Sequence, residues 1–170
     1  NGGAGNDTVV VNASNVTALG DAVGPALIDG GAGINVFKLD VTATGITLDL
    51  TNTSVAAKVD NFSVLDIKGS GNNTLKLSLQ DVLDMGAVAD NAATADVDES
   101  DMLVVKGDAG DLVQLQAVAS WAQAGAQSGA TLVTNFGAAY GFEGGHTYMQ
   151  YTQGTANLFV EQLMTVQTFA

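Results

Sequence analysis

Cysteine and arginine are absent from this 170-residue chain, and histidine and proline occur once each. Without cysteine there is neither a disulfide to staple the fold nor a thiolate for metal or redox chemistry. A single histidine, His146, makes a poor tetrahedral zinc set. No nucleophile motif accompanies it, so a hydrolytic triad is not expected and the chain does not read as an enzyme. The cationic side chains are five lysines, Lys38, Lys58, Lys68, Lys76 and Lys106, set against 18 Asp plus Glu for a formal net charge of −13. That balance argues against nucleic acid and anionic membrane as partners. No apolar run nears the roughly 20 residues that span a bilayer, so membrane insertion is not expected. The chain opens on neither Met nor a signal peptide but inside a glycine repeat, and reads as a fragment cut from a longer protein.

What is present points to sheet. A length of 170 residues fits one domain, since single cores usually take about 100 to 200 residues. Short Val-, Thr- and Leu-rich runs separated by Gly, Asn and Asp predict strands at residues 8–11, 36–40, 46–50, 62–67, 74–79, 102–105, 112–115, 131–136, 147–151, 156–160 and 164–168. So many short strands imply a sandwich, a solenoid or a hybrid of the two. Ser78 with Asp81 three positions on reads as a variant capping box, opening a helix over "LQDVLDM". A weaker helical pattern covers 117–124, and residues 12–21 leave a helical turn and an ordered loop both open. The expected architecture is an all-β, β-sandwich-like body carrying a short calcium-binding β-roll portion and one or two short helices. The glycine turns would occupy 1–40 and the body 41–170, with irregular loops at 89–101 and 138–146.

The first turn, Gly2-Gly3-Ala4-Gly5-Asn6-Asp7-Thr8-Val9-Val10, matches G-G-x-G-x-D-x-U-x at every fixed position. Glycine allows the backbone angles that aim carbonyls at a common centre, and Asp7 adds a carboxylate. One such turn supplies only part of the six to eight oxygens that calcium prefers, so an adjoining turn must complete the shell. A second copy follows Asp29 as Gly30-Gly31-Ala32-Gly33-Ile34-Asn35, with Asn35 where the first copy has Asp. An amide oxygen can coordinate but brings no charge, so this copy is either a weaker site or mainly a turn. The candidate ligands of this pair are Gly3, Gly5, Asp7, Asp29, Gly31, Gly33 and Asn35. A third, degenerate copy spans 69–75, where the turn reading gains on the metal one. Calcium would also ease the self-repulsion of so acidic a surface.

Taken together, "GGAGNDTVVVNASNVTALGD", "DGGAGINVFKLD", "GITLDLTN", "VLDIKGSGNNTLKLSLQDVLDM", "LVVKGDAGDLVQL" and "HTYMQYTQGTANLFVEQLMTV" resemble a module of very large bacterial surface adhesins of the RTX type. The resemblance covers nearly the whole chain, and "GSGNNTLKLSLQDVLDM" is its most distinctive part. It implies type I secretion, an extracellular location at the bacterial cell surface, folding in calcium, and a role in cell adhesion and biofilm. It also implies a monomeric module within a long chain. Some modules of this kind grip the C-terminal residues of a partner protein through a bound calcium that contacts the terminal carboxylate. The loops at 89–101 and 138–146 fall where the module pattern varies, so ligand contacts do not carry over residue by residue.

An acidic chain cannot hold a carboxylate ligand by its own charges, and a calcium with an open position reverses the local field. The stretch 90–111 offers Asp98 and Asp101 at the entry to the strand at Met102, and Asp108 and Asp111 in the turn "GDAGD". They serve as ligands only if that hairpin brings them side by side; otherwise they form a solvated loop and a plain turn. Candidate ligand contacts are Trp121, Tyr140, Phe142, His146 and Tyr148. Trp121 is weighed against core packing. Tyr140 and Phe142 sit among glycines with little core to enter. His146 suits a pocket rim. Tyr148 and Tyr151 face opposite sides of one strand, one buried and one exposed. The leading expectation is a calcium-dependent adhesin module recognising a peptide or protein C-terminus on another cell. A calcium-dependent carbohydrate-binding domain and a calcium-stiffened spacer without ligand are the alternatives.

Overall fold

The offset of 28 residues between the glycine turns is the period on which the chain winds. Thr8–Val11 (β1) pairs in parallel with Val36–Leu39 (β3), Thr8 against Val36. Val64–Asp66 (β6), Met102–Lys106 (β8) and Ala156–Glu161 (β12) continue the stack in parallel, so Val36 faces Val64, Val64 faces Val104 and Val104 faces Phe159. A second parallel stack contains Thr47–Asp49 (β4), Thr74–Leu77 (β7), Leu112–Gln116 (β9) and Thr165–Phe169 (β13). Ile28–Asp29 (β2) and Val59–Asp60 (β5) make a third, short pair. The computed structural model describes residues 1–24, 26–42, 44–85, 101–117 and 120–170.

Successive strands of the long stack are 28, 28, 40 and 55 residues apart, as the partners Thr8, Val36, Val64, Val104 and Phe159 show. The growing interval locates the added chain. One stretch enters between β7 and β8 and contains the segment 86–100, which lies outside the described residues together with Asp98. The other enters between β9 and β12. There Ala122–Ser128 (β10) and Thr147–Gln153 (β11) extend the long sheet antiparallel beyond β12, giving the order β1-β3-β6-β8-β12-β11-β10.

The chain is mostly strand, and the sandwich-like expectation holds in that two main sheets face each other across one core. Phe37, Leu39, Leu65, Leu103, Val105, Leu158 and Val160 of the long sheet meet Leu48, Leu75, Leu77, Val113 and Leu115 of the short one. Burial of each Leu or Val contributes about 1.5–3 kcal/mol. The long sheet is also covered outside. Val64, Met102, Val104, Tyr148 and Phe159 pack under Leu132, Tyr140 and Phe142. Strands buried on both faces read as continuous apolar runs, as "MLVV" in β8 and "LFV" in β12 do, whereas β7 and β9 alternate.

Four α-helices and a 3-10 turn at Ala138–Tyr140 are described, where one or two short helices were expected. Ala13–Leu19 (α1) settles the open segment as helix: Asn12 Oδ1 accepts from Asn15 N at 3.0 Å and Asn15 Oδ1 from Asn12 N at 3.2 Å. Thr53–Ala56 (α2) is capped by Asn52. Leu79–Met85 (α3) opens as expected, Ser78 N donating to Asp81 Oδ2 at 2.6 Å and Asp81 N to Ser78 Oγ at 3.2 Å. Two expectations are corrected. The segment 131–136 is not a strand but part of a helix, Gly129–Phe136 (α4), capped by Ser128. Leu132, Val133 and Phe136 recur at helical spacing and pack against the outer aromatic cluster, which overrides the β preference of Thr and Val. Conversely, Ala122 to Ala124 belong to strand β10, because pairing with β11 prevails over alanine's helix propensity.

Candidate functional site

The glycine turns stack directly on each other. Gly2 N donates to Asp29 O, Gly5 N to Ala32 O, and Ala32 N to Gly3 O, all at 2.8–2.9 Å. Asn6 Oδ1 accepts from Ile34 N, also at 2.9 Å. Gly3, Gly5, Gly31 and Gly33 all have positive φ, between 80° and 123°. A Cβ on Gly31 would stand 2.1 Å from the Gly3 carbonyl oxygen, so the stack needs glycine for space as well as for backbone angle. Asp29 is committed locally: Oδ1 accepts from Gly31 N and Asn61 Nδ2, each at 2.8 Å, which holds its carboxyl below the usual range.

Asp7 and Asn35 occupy equivalent places and do different things. Asn35 is fully buried; its Oδ1 accepts from Asp7 N at 2.9 Å. Its Nδ2 donates to the carbonyls of Gly31, Gly33 and Asn61 at 3.1–3.2 Å. Of the two meanings left open for the Asn copy, this geometry is that of a turn, with both amide atoms engaged. Asp7 has no nitrogen to offer. Its Oδ2 is buried without a hydrogen-bond partner. A Cβ on Gly2 would lie 2.5 Å from the Gly30 carbonyl oxygen and 2.7 Å from Asp7 Oδ2, so only glycine fits against these two acceptors. A partnerless buried carboxylate oxygen costs about 1–3 kcal/mol or more. A hard divalent ion, which takes carboxylate and carbonyl oxygen, fits this donor set. Among the described residues no three acidic or histidine side chains converge as metal ligands. What the first turn offers an ion is one carboxylate with main-chain oxygen.

The acidic candidates of the later loop fare differently. Asp111 is buried, Oδ1 accepting from Asn73 N at 2.8 Å and Oδ2 from Asp108 N at 2.7 Å. Burial raises its carboxyl above the usual value despite those donors. Both oxygens are thus spent on the turn, which favours the plain-turn reading of "GDAGD". Asp108 is exposed, and Asp101 is half-buried at the entry to β8. No described contact joins Asp101 to the glycine turns, and Asp98 lies outside the described residues.

Three of the five lysines and the single histidine gather at the C-terminal ends of the parallel strands of the long sheet, away from the glycine turns that precede β1 and β3. Lys38 pairs with Asp66 and Asp66 with Lys106 across β3, β6 and β8, and Glu161 follows the Val105–Val160 pair at the end of β12. Lys38 Nζ lies 3.5 Å from Asp66 Oδ2. Glu161 is fully buried, accepting from Gly107 N at 3.2 Å and pairing with Lys68 at 3.4 Å and with His146 Nδ1. Glu143 meets Lys106 at 2.6 Å, Lys68 at 3.3 Å and His146 Nε2 at 3.5 Å. The Lys106 hydrogen bond leads the causes that bring Glu143 down to about 2, against a smaller opposing effect of burial. Beside the cluster lies an open groove of about 600 Å³, lined by Gly145, His146, Thr147, Glu161, Gln162 and Leu163.

The aromatic candidates need correction. Tyr140, Phe142 and Tyr148 are core residues, 2 %, 5 % and 0 % exposed, not open contacts. Phe142 stacks edge-on against Tyr148 and Phe159 at centroid distances of 5.1 and 5.6 Å. The glycines of 137–145 fold these rings onto the long sheet, a core invisible while 131–136 is taken for a strand. Tyr148 and Tyr151 do face opposite sides, Tyr148 fully buried and Tyr151 half-buried against the inter-sheet core. Trp121 also packs against that core, half-buried. Of the five ligand candidates His146 alone borders the groove. The Lys–Glu cluster escaped the sequence reading; the alternation of Lys38, Asp66, Lys106 and Glu161 was its only signal.

No protein-family model matches this chain, and no curated protein or solved structure matches it. No described helix is long and apolar enough to cross a membrane.

Proposed function

We propose that the chain is a calcium-dependent module of an extracellular bacterial surface adhesin of the RTX type, in which an ion at the first glycine turn completes and stiffens the parallel coil. The observation that carries this reading is Asp7 Oδ2, buried and without a partner beneath Gly2. Gly3 and Gly5 in the left-handed region, the matching turn one period on and the net charge of −13 agree with it. An ion bound by the fold and not by the unfolded chain raises stability by mass action. Melting in millimolar calcium and in excess chelator tests the proposal. A fall of about 5 °C or more on chelation supports it, and identical melts refute it.

Capture of a peptide C-terminus is a second reading, favoured by the groove beside His146, where the imidazole and the 56 % exposed apolar surface of Leu163 border the same opening. Binding of free-acid peptides with loss on C-terminal amidation supports it; equal binding of both forms removes it.

A further inference from the structure

We infer that Asn35 is a built-in substitute for a cation, and that the identity of this one side chain decides whether its glycine turn takes a divalent ion. The inference rests on the calcium reading of the first turn and extends it to the second. The two turns stack in register, Ala4 beside Ala32 and Thr8 beside Val36. Gly30 covers Asn35 as Gly2 covers Asp7: a Cβ on Gly30 would stand 2.9 Å from Asn35 Nδ2 and 2.2 Å from the Asn61 carbonyl oxygen, and one on Gly2 would stand 2.7 Å from Asp7 Oδ2 and 2.5 Å from the Gly30 carbonyl oxygen. The Ile28–Val59 and Asp29–Asp60 register makes Asn61 the counterpart of Gly30. The second turn therefore aims three carbonyls, those of Gly31, Gly33 and Asn61, at a nitrogen. In the first turn the corresponding atom is an oxygen with no partner.

Converging carbonyls demand positive charge or N–H donors. An amide NH2 group carries two hydrogens of partial positive charge and answers that demand without an ion. A carboxylate at the same point adds one more acceptor and leaves the demand to a metal. The second turn is thus closed to calcium and stable in its absence, whereas the first remains conditional. The pairing also accounts for the order of the copies. Asn35 Oδ1 holds Asp7 N at 2.9 Å, so a permanently formed turn lies beneath the conditional one and keeps its backbone in register.

Two reciprocal variants of the same chain test this. Asn35→Asp gives the second turn the first turn's chemistry, and calcium titration by calorimetry should find about one more ion per chain than wild type. Asp7→Asn gives the first turn an amide; it should lose one ion and melt about 5 °C higher than wild type when both are in chelator. The inference is overturned if Asn35→Asp folds, by circular dichroism in calcium, yet titrates like wild type. It is equally overturned if Asp7→Asn melts no higher than wild type in chelator, a result that is readable even where Asn35→Asp fails to fold. A wild type that titrates no ion at all refutes the calcium reading itself. In that case Asn35→Ala still reports on the amide, since its melt should fall by the same amount with and without calcium.

Discussion

Two regions of the long sheet solve the same problem with different materials. Over β8, β12 and β11 the outer face is closed by rings: Phe136, Phe142, Tyr148 and Phe159 lie within 5.1–6.1 Å of one another in successive contacts. At the β1 end the turns are mostly glycine and alanine, with Ile34 their one large apolar side chain, and Val10 on β1 is 58 % exposed. Packing in the first region is contact between rings and apolar side chains. Order at the second depends on hydrogen bonds between glycine turns and on what satisfies Asp7. The contrast predicts that the coil loses its β1 end first when calcium is withdrawn, and that substitutions divide into calcium-blind and calcium-coupled sets.

Phe142→Ala should have the largest effect, about 3–5 kcal/mol, because it empties the centre of the outer cluster. In a thermal melt the loss should be the same in calcium and in chelator. Gly31→Ala should cost about 2–4 kcal/mol, since φ is +80° and the new Cβ meets Gly3 O at 2.1 Å. Its loss should depend on calcium, shrinking in chelator where the first turn is already loosened. Ser78→Ala removes the cap of α3 and should cost about 1 kcal/mol by denaturant titration, indifferent to calcium. Comparable calcium coupling in Phe142→Ala and Gly31→Ala would erase the distinction between the two regions.

Acid should act on the cluster end. The folded-state value of Glu143 is depressed, to about 2, so its contribution is fully present above the ordinary carboxylate value and is lost as pH falls from there toward about 2. With 41 % of its side chain exposed, the effect is small. Glu143→Gln should flatten that part of the stability curve and leave stability near pH 7 little changed. An acid limb identical to wild type would show that the Lys106 and Lys68 pairs do not matter to folding.

Much of the coil was legible because it is written in short range. Residues 8–11 give β1 directly, Ser78 and Asp81 cap α3, and the repeat of Gly-Gly-Ala-Gly announces the period. The rest depends on partners distant in sequence. Whether Thr131 to Phe136 forms strand or helix is decided by the outer face of β6, β8 and β12, not by its own propensities. Tyr140 looked exposed because its glycine neighbours suggest a loop, yet the helix before it turns it inward. The role of Asn35 was half visible. Its missing charge could be read from the chain, but the carbonyls of Gly31, Gly33 and Asn61 around its nitrogen could not.

Hydrogen exchange resolved along the chain separates the two regions, with the amides of Ala32, Ile34 and Val36 compared with those of β8 and β12 in calcium and in chelator. The account predicts that chelation strips protection from the first group by an order of magnitude or more and leaves the second nearly unchanged. Protection at Ala32, Ile34 and Val36 that is the same with and without calcium would contradict it.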